Sequence, residues 1–263
     1  MQVSYQNVTF ELSQRQDTPL YFVLGVRKSG SSILNSMMTA LAGHNGKTFV
    51  DIPGQLFKAG VRVKDWQHDG KLGTLFHGGN VYGGFRNAPL GVFELAAFRS
   101  ARKILMVRDP RDALVSEYFS NAYSHSLPAG GKGLEGMQKL RQEALASSLQ
   151  AYVLERAQEL SRTMMEYAPL VQAPNTRVFR YEDVILHKRE LLVDICRHFG
   201  WPVDEPFMQL VLGWADVVPG EERPEEFVRR VVPGDHREKL SADAIRQLDE
   251  LLQAPMRAFG YSA

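Results

Sequence analysis

Apolar and polar side chains alternate along residues 3–12, VSYQNVTFEL, which predicts a half-buried strand ahead of the main fold. Residues 19–26, PLYFVLGV, form a short continuous apolar run, the pattern of a strand covered on both faces. A polar, glycine-containing turn follows, and ILNSMMTAL then reads as a helix. A second buried strand, KILMV at 103–107, runs through Arg108-Asp109 into the helical segment RDALVSEYFSNAY. Pro110 stands in its first turn, where a missing N–H costs little. A third strand within RVFRYED, 177–183, precedes the helix HKRELLVDICRHF, and Gly200 stands where a C-terminal capping glycine belongs. Strand, turn and helix thus recur three times. The pattern predicts an α/β fold, a single domain over residues 1–263 with a mainly parallel sheet flanked by helices. Residues 138–167 carry one long helical pattern closed by Ala168-Pro169, and the glycine-rich stretch 126–136, SLPAGGKGLEG, reads as a mobile loop.

A chain of 263 residues with 44% apolar content can bury one sizeable core. Its 31 Lys and Arg face 30 Asp and Glu, a net charge of +1, which excludes the broad basic surface that nucleic-acid binding needs. Basic residues that matter are therefore expected in one pocket. Cys196 is the single cysteine, so neither an intramolecular disulfide nor a Cys-rich metal site is available. It shares a helical apolar pattern with Leu191, Leu192, Ile195 and Phe199, as a packed residue does. No apolar run reaches signal-peptide or membrane-helix length, which predicts a soluble, cytoplasmic protein with no membrane span. There is no HExxH, EF-hand loop or Cys/His cluster, so no metal is expected.

The first buried strand delivers the chain into Gly25-Val26-Arg27-Lys28-Ser29-Gly30-Ser31-Ser32. Between a strand and a helix start, such a segment turns backbone N–H groups and the positive helix end towards an anion. The Gly-x4-Gly spacing fits a phosphate-binding loop, yet Ser31 stands where a nucleoside-triphosphate loop has Lys. The lysine lies inside the loop instead, at Lys28, placed for a single 5′-phosphate, with Ser31 and Ser32 supplying hydroxyls. Taken alone, the segment is also compatible with an ordinary glycine-containing β–α turn.

Residues Arg27 to Leu34 resemble the 5′-phosphosulfate loop of the sulfotransferases, Pro-Lys-Ser-Gly-Thr-Thr-Trp-Leu. Serines replace both threonines, Arg27 replaces Pro, and Ile33 replaces the Trp that stacks on adenine in that family. Arg108-Asp109-Pro110-Arg111-Asp112-Ala113-Leu114-Val115-Ser116 is similar to the family's 3′-phosphate motif, Arg-Asn-Pro-Lys/Arg-Asp-x-x-x-Ser. Arg suits that place because its planar fork grips phosphate oxygens in pairs. A pairing of Arg108 with Asp112 across the turn is the competing reading of these residues. Arg229-Arg230-Val231-Val232-Pro233-Gly234-Asp235-His236-Arg237 resembles the family's Arg-Lys-Gly-x-x-Gly-x-Trp-Lys segment, with Val231 for Gly and His236 for Trp; a solvated arginine pair is its alternative. Tyr181-Glu182-Asp183 matches a Tyr-Glu-Asp segment whose Tyr lies against the adenine. The four matches occur in the family's order.

The resemblance implies transfer of a sulfuryl group from 3′-phosphoadenosine 5′-phosphosulfate (PAPS) to a hydroxyl or amine, in line and without a metal. It implies that Lys28, Ser29, Gly30, Ser31, Ser32, Ile33, Arg108, Ser116, Tyr181, Arg229 and Arg230 hold the donor, and that Lys28 also takes part in the chemistry. Relatives carry a Thr/Ser-His-Leu-Pro segment with the general base, where this chain has Gly84-Phe85-Arg86-Asn87-Ala88-Pro89. Arginine stays protonated and cannot be that base. Arg86 and Asp51 are therefore placed on the acceptor side, with His77 the expected base and Asp51 the other candidate. Small molecule, lipid and glycan all remain open as acceptor. So do a small-molecule kinase using ATP in the same crevice and an inactive nucleotide-binding relative.

Overall fold

The alternating N-terminal segment is two strands, not one. In the computed structural model, which describes residues 1–15, 18–124, 131–226 and 228–262, β1 (Gln2–Tyr5) and β2 (Val8–Glu11) form an antiparallel hairpin. Gln6 and Asn7 make its two-residue turn at φ 50° and 60°, the left-handed geometry that suits the twist of a tight hairpin. Alternation continues through the turn, which is why one strand pattern covered both arms. The hairpin stands apart from the main sheet, and the Tyr5 hydroxyl ties it to Asp69 at 3.0 Å.

The main sheet contains β3 (Tyr21–Gly25), β4 (Thr48–Asp51), β5 (Asn80–Phe85), β6 (Arg102–Val107) and β7 (Thr176–Arg180), all parallel, in the order β4-β5-β3-β6-β7. β3 lies at the centre with every residue buried. Tyr21 and Val23 face a core with Met37, Met38, Ile104 and Leu192, while Phe22 and Leu24 face another with Tyr82, Leu105 and Phe98. That two-sided burial explains its unbroken apolar run. β4 and β5 were not expected from the sequence pattern. β4 is only four residues long, and Gly83 and Gly84 interrupt the apolar signal of β5. Those glycines serve packing: a Cβ on Gly83 would lie 2.1 Å from the Phe49 ring, and Gly84 has φ 81° beside the Asp51 carboxylate.

The helix Ser31–His44 follows β3, and Pro110–Phe119 follows β6. The helix Lys188–Phe199 ends at Gly200, which adopts φ 71° as its capping position requires. Cys196 is buried in this helix, and burial pushes its thiol up to about 11. The long pattern 138–167 is two helices, Gly131–Ala146 and Leu149–Tyr167. Ser148 breaks it by capping the second helix, its Oγ accepting from the Ala151 N–H at 3.2 Å. The later part of the expected loop 126–136 is therefore helical from Gly131; residues 126–130 lie outside the described residues. Among the described residues, no helix is long and apolar enough to cross a membrane.

Chain connections diverge between β3 and β6: β3 is followed by β4 on one side, and β6 by β7 on the other. In an open parallel sheet, such a divergence leaves a crevice at the carboxyl ends of the two strands.

Candidate active site

All five parallel strands deliver polar or charged residues to that crevice edge. Asp51 ends β4, Arg86 follows β5, the loop Val26–Gly30 follows β3, Arg108 follows β6, and Tyr181 follows β7. The central loop is closed from within. The Ser29 amide and its buried hydroxyl both donate to the Val26 carbonyl, at 3.2 and 2.6 Å. Ser29 therefore turns its hydroxyl into the loop and not towards a ligand. Lys28 and Gly30 take left-handed backbone at φ 65° and 80°. For Lys28 this costs on the order of 1–3 kcal/mol, which the surrounding contacts must offset. Gly30 is needed twice over, because a Cβ there would also lie 3.0 Å from the Tyr181 ring. Beyond Gly30 the helix Ser31–His44 begins, with its first N–H groups lacking intrahelical partners.

Three arginines and one carboxylate, Glu117, bear on Lys28. Burial, followed by the nearby charges of Arg108, Arg86 and Arg229, lowers its ammonium to about 8, against the opposing pull of Glu117. Arg108 is buried, donates from Nη1 to the Lys28 carbonyl at 3.3 Å, and lies 4.3 Å from the centre of the Tyr181 ring. Its Nε is buried without a hydrogen-bond partner. Arg86 donates from Nε to the Ser31 Oγ at 3.3 Å and from Nη2 to the Ser32 Oγ at 3.2 Å. Four cations around amide-rich backbone, one with an unused buried donor, form a site suited to a multiply charged anion.

The segment 229–237 closes the crevice on the β6 side. Asp112 accepts from the Gly234 N–H at 2.7 Å, the His236 N–H at 2.9 Å and His236 Nδ1 at 2.5 Å. Burial alone would raise this carboxyl, but the His236 hydrogen bond, the Arg108 charge and the two amides hold it well below the usual carboxylate range. The Tyr181 hydroxyl donates to the Val231 carbonyl at 2.9 Å. Arg229 lies over the Phe119 ring at 4.2 Å and pairs with Glu222 and Asp235, whereas Arg230 forks onto Glu238 at 2.5 and 2.6 Å.

The family model for the sulfotransferase domain matches residues 88–260. The chain belongs to the sulfotransferase family. Its reaction is sulfuryl transfer from PAPS. The matched region holds Arg108, Ser116, Tyr181 and the 229–237 segment, while the phosphate loop lies ahead of it. Among solved structures, mouse sulfotransferase SULT7A1 complexed with PAP has 15% identity and a TM-score of 0.61, over 97% of this chain and 95% of that one. A retinol dehydratase in complex with androsterone and inactive cofactor PAP has 14% identity and a TM-score of 0.50, over 93% and 82%. These likenesses are likenesses of fold. No curated protein sequence matches.

Within this sulfotransferase the sequence-expected residues separate. Lys28, Arg86, Arg108, Tyr181 and Arg229 converge, and Ile33 joins the small apolar cluster of Tyr181, Ile185 and Val231. Ser116 is half-buried one helical turn beyond Asp112, on the same face. The Arg108–Asp112 pair of the competing reading is loose at 3.9 Å, because Asp112 is turned to the segment that begins at Arg229. His77 is the correction. It lies ahead of the amino end of β5, where Val81 pairs with Tyr21, and its Nε2 lies 3.0 Å from the Thr74 carbonyl. Lys28 follows the opposite, carboxyl end of β3, and a six-residue strand is about 20 Å long. His77 therefore lies at the sheet edge opposite Lys28, out of reach of the crevice there. Asp51 lies at the correct end of its strand, though its Oδ1 already accepts from the Gly54 N–H at 2.9 Å as a helix cap. Asp112 and Glu117 were not anticipated as site residues. Asp112 had a visible signal in its place four residues after Arg108, but its partners lie over 120 residues away.

Proposed function

We propose that this sulfotransferase holds PAPS between the loop after β3 and the segment 229–237, and sulfates a hydroxyl or amine on a small-molecule, lipid or glycan acceptor in the cytoplasm. The observation that carries the assignment is the convergence of Lys28, Arg86, Arg108 and Arg229 on one loop with open helix-terminal amides. Lys28 and the first amides of the helix Ser31–His44 hold the 5′-phosphate. Arg108, Ser116 and Arg229 hold the 3′-phosphate, with Arg230 adding charge from outside. Tyr181 and Ile33 bound the adenine side. Ser29 shapes the loop from within.

The bound donor supplies the sulfuryl group. Lys28 stabilises the charge that grows on the bridging oxygen as the sulfur–oxygen bond breaks, and the loop amides do the same. Arg86, fixed on Ser31 and Ser32, faces the acceptor side, where its permanent charge steadies sulfuryl oxygens or an acidic acceptor. Asp51 is the remaining base candidate in the sequence reading: its Oδ1 caps Gly54, and its second carboxylate oxygen can still accept a proton. An ATP-using kinase is not favoured, since Ser31 occupies the place of its essential lysine and is engaged by Arg86.

The test is thermal melting with ligands. 3′,5′-Bisphosphoadenosine should raise the melting temperature by mass action, and ATP with magnesium or AMP should raise it less. Equal stabilisation by ATP with magnesium would overturn the assignment. A screen with sulfur-labelled donor then identifies the acceptor.

A further inference from the structure

Behind the phosphate loop lies an ion network that the donor contacts do not require. Arg27 and Lys28 are neighbours in the loop, but Arg27 points away from it to two helices. Its Nε lies 3.1 Å from Glu117 on Pro110–Phe119, and its Nη1 is 2.8 Å from Glu159 on Leu149–Tyr167. Arg156 closes the circuit, with Nε 3.2 Å from Glu117 and Nη1 2.7 Å from Glu159. The Tyr152 hydroxyl adds a bond to Glu117 at 3.2 Å and itself accepts from Asn121 at 2.8 Å. Glu117 is the buried member, its side chain 7% exposed, whereas Glu159 is 41% exposed.

Two cations and two carboxylates balance within the circuit, yet its position relative to Lys28 is unequal. Arg108 from the end of β6, Arg86 from the end of β5 and Arg229 from the C-terminal segment all bring positive charge to Lys28. Glu117 brings the opposing negative charge. Facing Glu117 in turn are Arg27 from the loop, and Arg156, Tyr152 and Glu159 from the long helix. We propose that Glu117 is a positioning residue for the donor site: through Arg27 it ties the phosphate loop to the helix Pro110–Phe119, and it supplies the counter-charge to the cations gathered at that loop.

The inference rests on the donor-site reading above, and one titration separates the two. Binding of 3′,5′-bisphosphoadenosine is measured by calorimetry from pH 6 to 10. Lys28 has its ammonium lowered to about 8 in the free protein, and a bound phosphate favours the charged form. Affinity should therefore hold below that pH and fall above it, approaching tenfold per pH unit. Glu117→Gln removes the negative neighbour and leaves the circuit with excess positive charge. Its alkaline limb should move about one pH unit lower, so that binding is roughly fivefold weaker at pH 8, approaches tenfold weaker by about pH 9, and stays within threefold of wild type at pH 6. Arg156→Gln does the reverse: it leaves the circuit negative and should move the limb to higher pH. Because the two shifts have opposite sign, the second variant decides the matter if the first does not fold. A loss uniform in pH in the variants would reduce the circuit to scaffolding and overturn the inference. Shifts in the same direction, or none, would also overturn it. Failure of the wild-type protein to bind the bisphosphate would instead overturn the donor-site reading itself.

Discussion

The phosphate loop and the 229–237 segment line the same crevice but are shaped differently. The turn of the loop is closed by near neighbours, with Ser29 bonded to Val26 and Gly30 supplying the left-handed step into its helix, while Arg27 ties its base to Glu117 and Glu159. The segment is held from far along the chain, by Asp112 across 122 and 124 residues and by Tyr181 across 50. A locally closed loop loses function when a reacting side chain is removed, while its shape persists. A segment clasped from a distance can lose its place when a residue that never meets the ligand is changed. The two regions should therefore respond differently to substitution.

The largest expected effect is in the loop. Lys28→Met should lower turnover about 10²–10³-fold, the usual loss when one group stabilising a developing charge is removed. Donor affinity should fall too, as it does when the Lys28 ammonium is lost at high pH, but by less than turnover. Single-turnover rates at saturating donor check this, and a wild-type rate would break the comparison at its chemical end.

Next come the two arginines proposed to hold the 3′-phosphate. Arg108→Ala and Arg229→Ala should each weaken bisphosphate binding by about 1.5–3 kcal/mol, as lost charge-assisted hydrogen bonds do. Neither should much affect an analogue lacking the 3′-phosphate. Calorimetry with both ligands sharpens the comparison. Equal losses for the two ligands would place these arginines elsewhere.

Asp112→Asn probes the clasp without touching a ligand, since its oxygens serve Gly234 and His236. Leaving one of those buried donors poorly paired should cost about 1–3 kcal/mol of stability. The sign with pH follows from the depressed carboxyl. Its contribution is fully present above the unfolded value of roughly 3.9 and is lost as pH falls through the lower folded value. Urea unfolding should therefore separate wild type from variant by a constant amount between pH 7 and about 5, and by less below about 4. A gap that widens in acid would reverse this account.

The smallest effect is expected at His77. With its imidazole beside Thr74 at the opposite sheet edge, His77→Ala should leave turnover within about twofold, against the roughly 10²–10⁴-fold loss typical of a missing base. Steady-state kinetics suffice. A loss of the larger size would return the base to His77.

Much of the fold around the proposed donor side was legible in the residues themselves. Buried parallel strands write continuous apolar runs, so β3 and β6 stood out, and both loops proposed to meet the donor follow such runs directly. β4 and β5 did not stand out, because one is short and glycines in the other make room for Phe49 and Asp51. The single helical pattern 138–167 hid a break, since Ser148 ends one helix and caps the next without disturbing the apolar period. The acceptor side was less legible. His77 and Asp51 are close in sequence to the same region, and only the direction of β4 and β5 separates them.

The sequence by itself determined where the loop after β3 lies and which side chains it carries, because a strand, a tight turn and a helix start are set by neighbours. Tertiary structure decided which end of each strand faces the crevice, and with it the exclusion of His77. It also decided that Asp112 serves a segment over a hundred residues away and that Glu117 stands behind Lys28. Those are matters of charge and hydrogen bonding between groups that meet only after the sheet has assembled, and their energies depend on burial that no local pattern records.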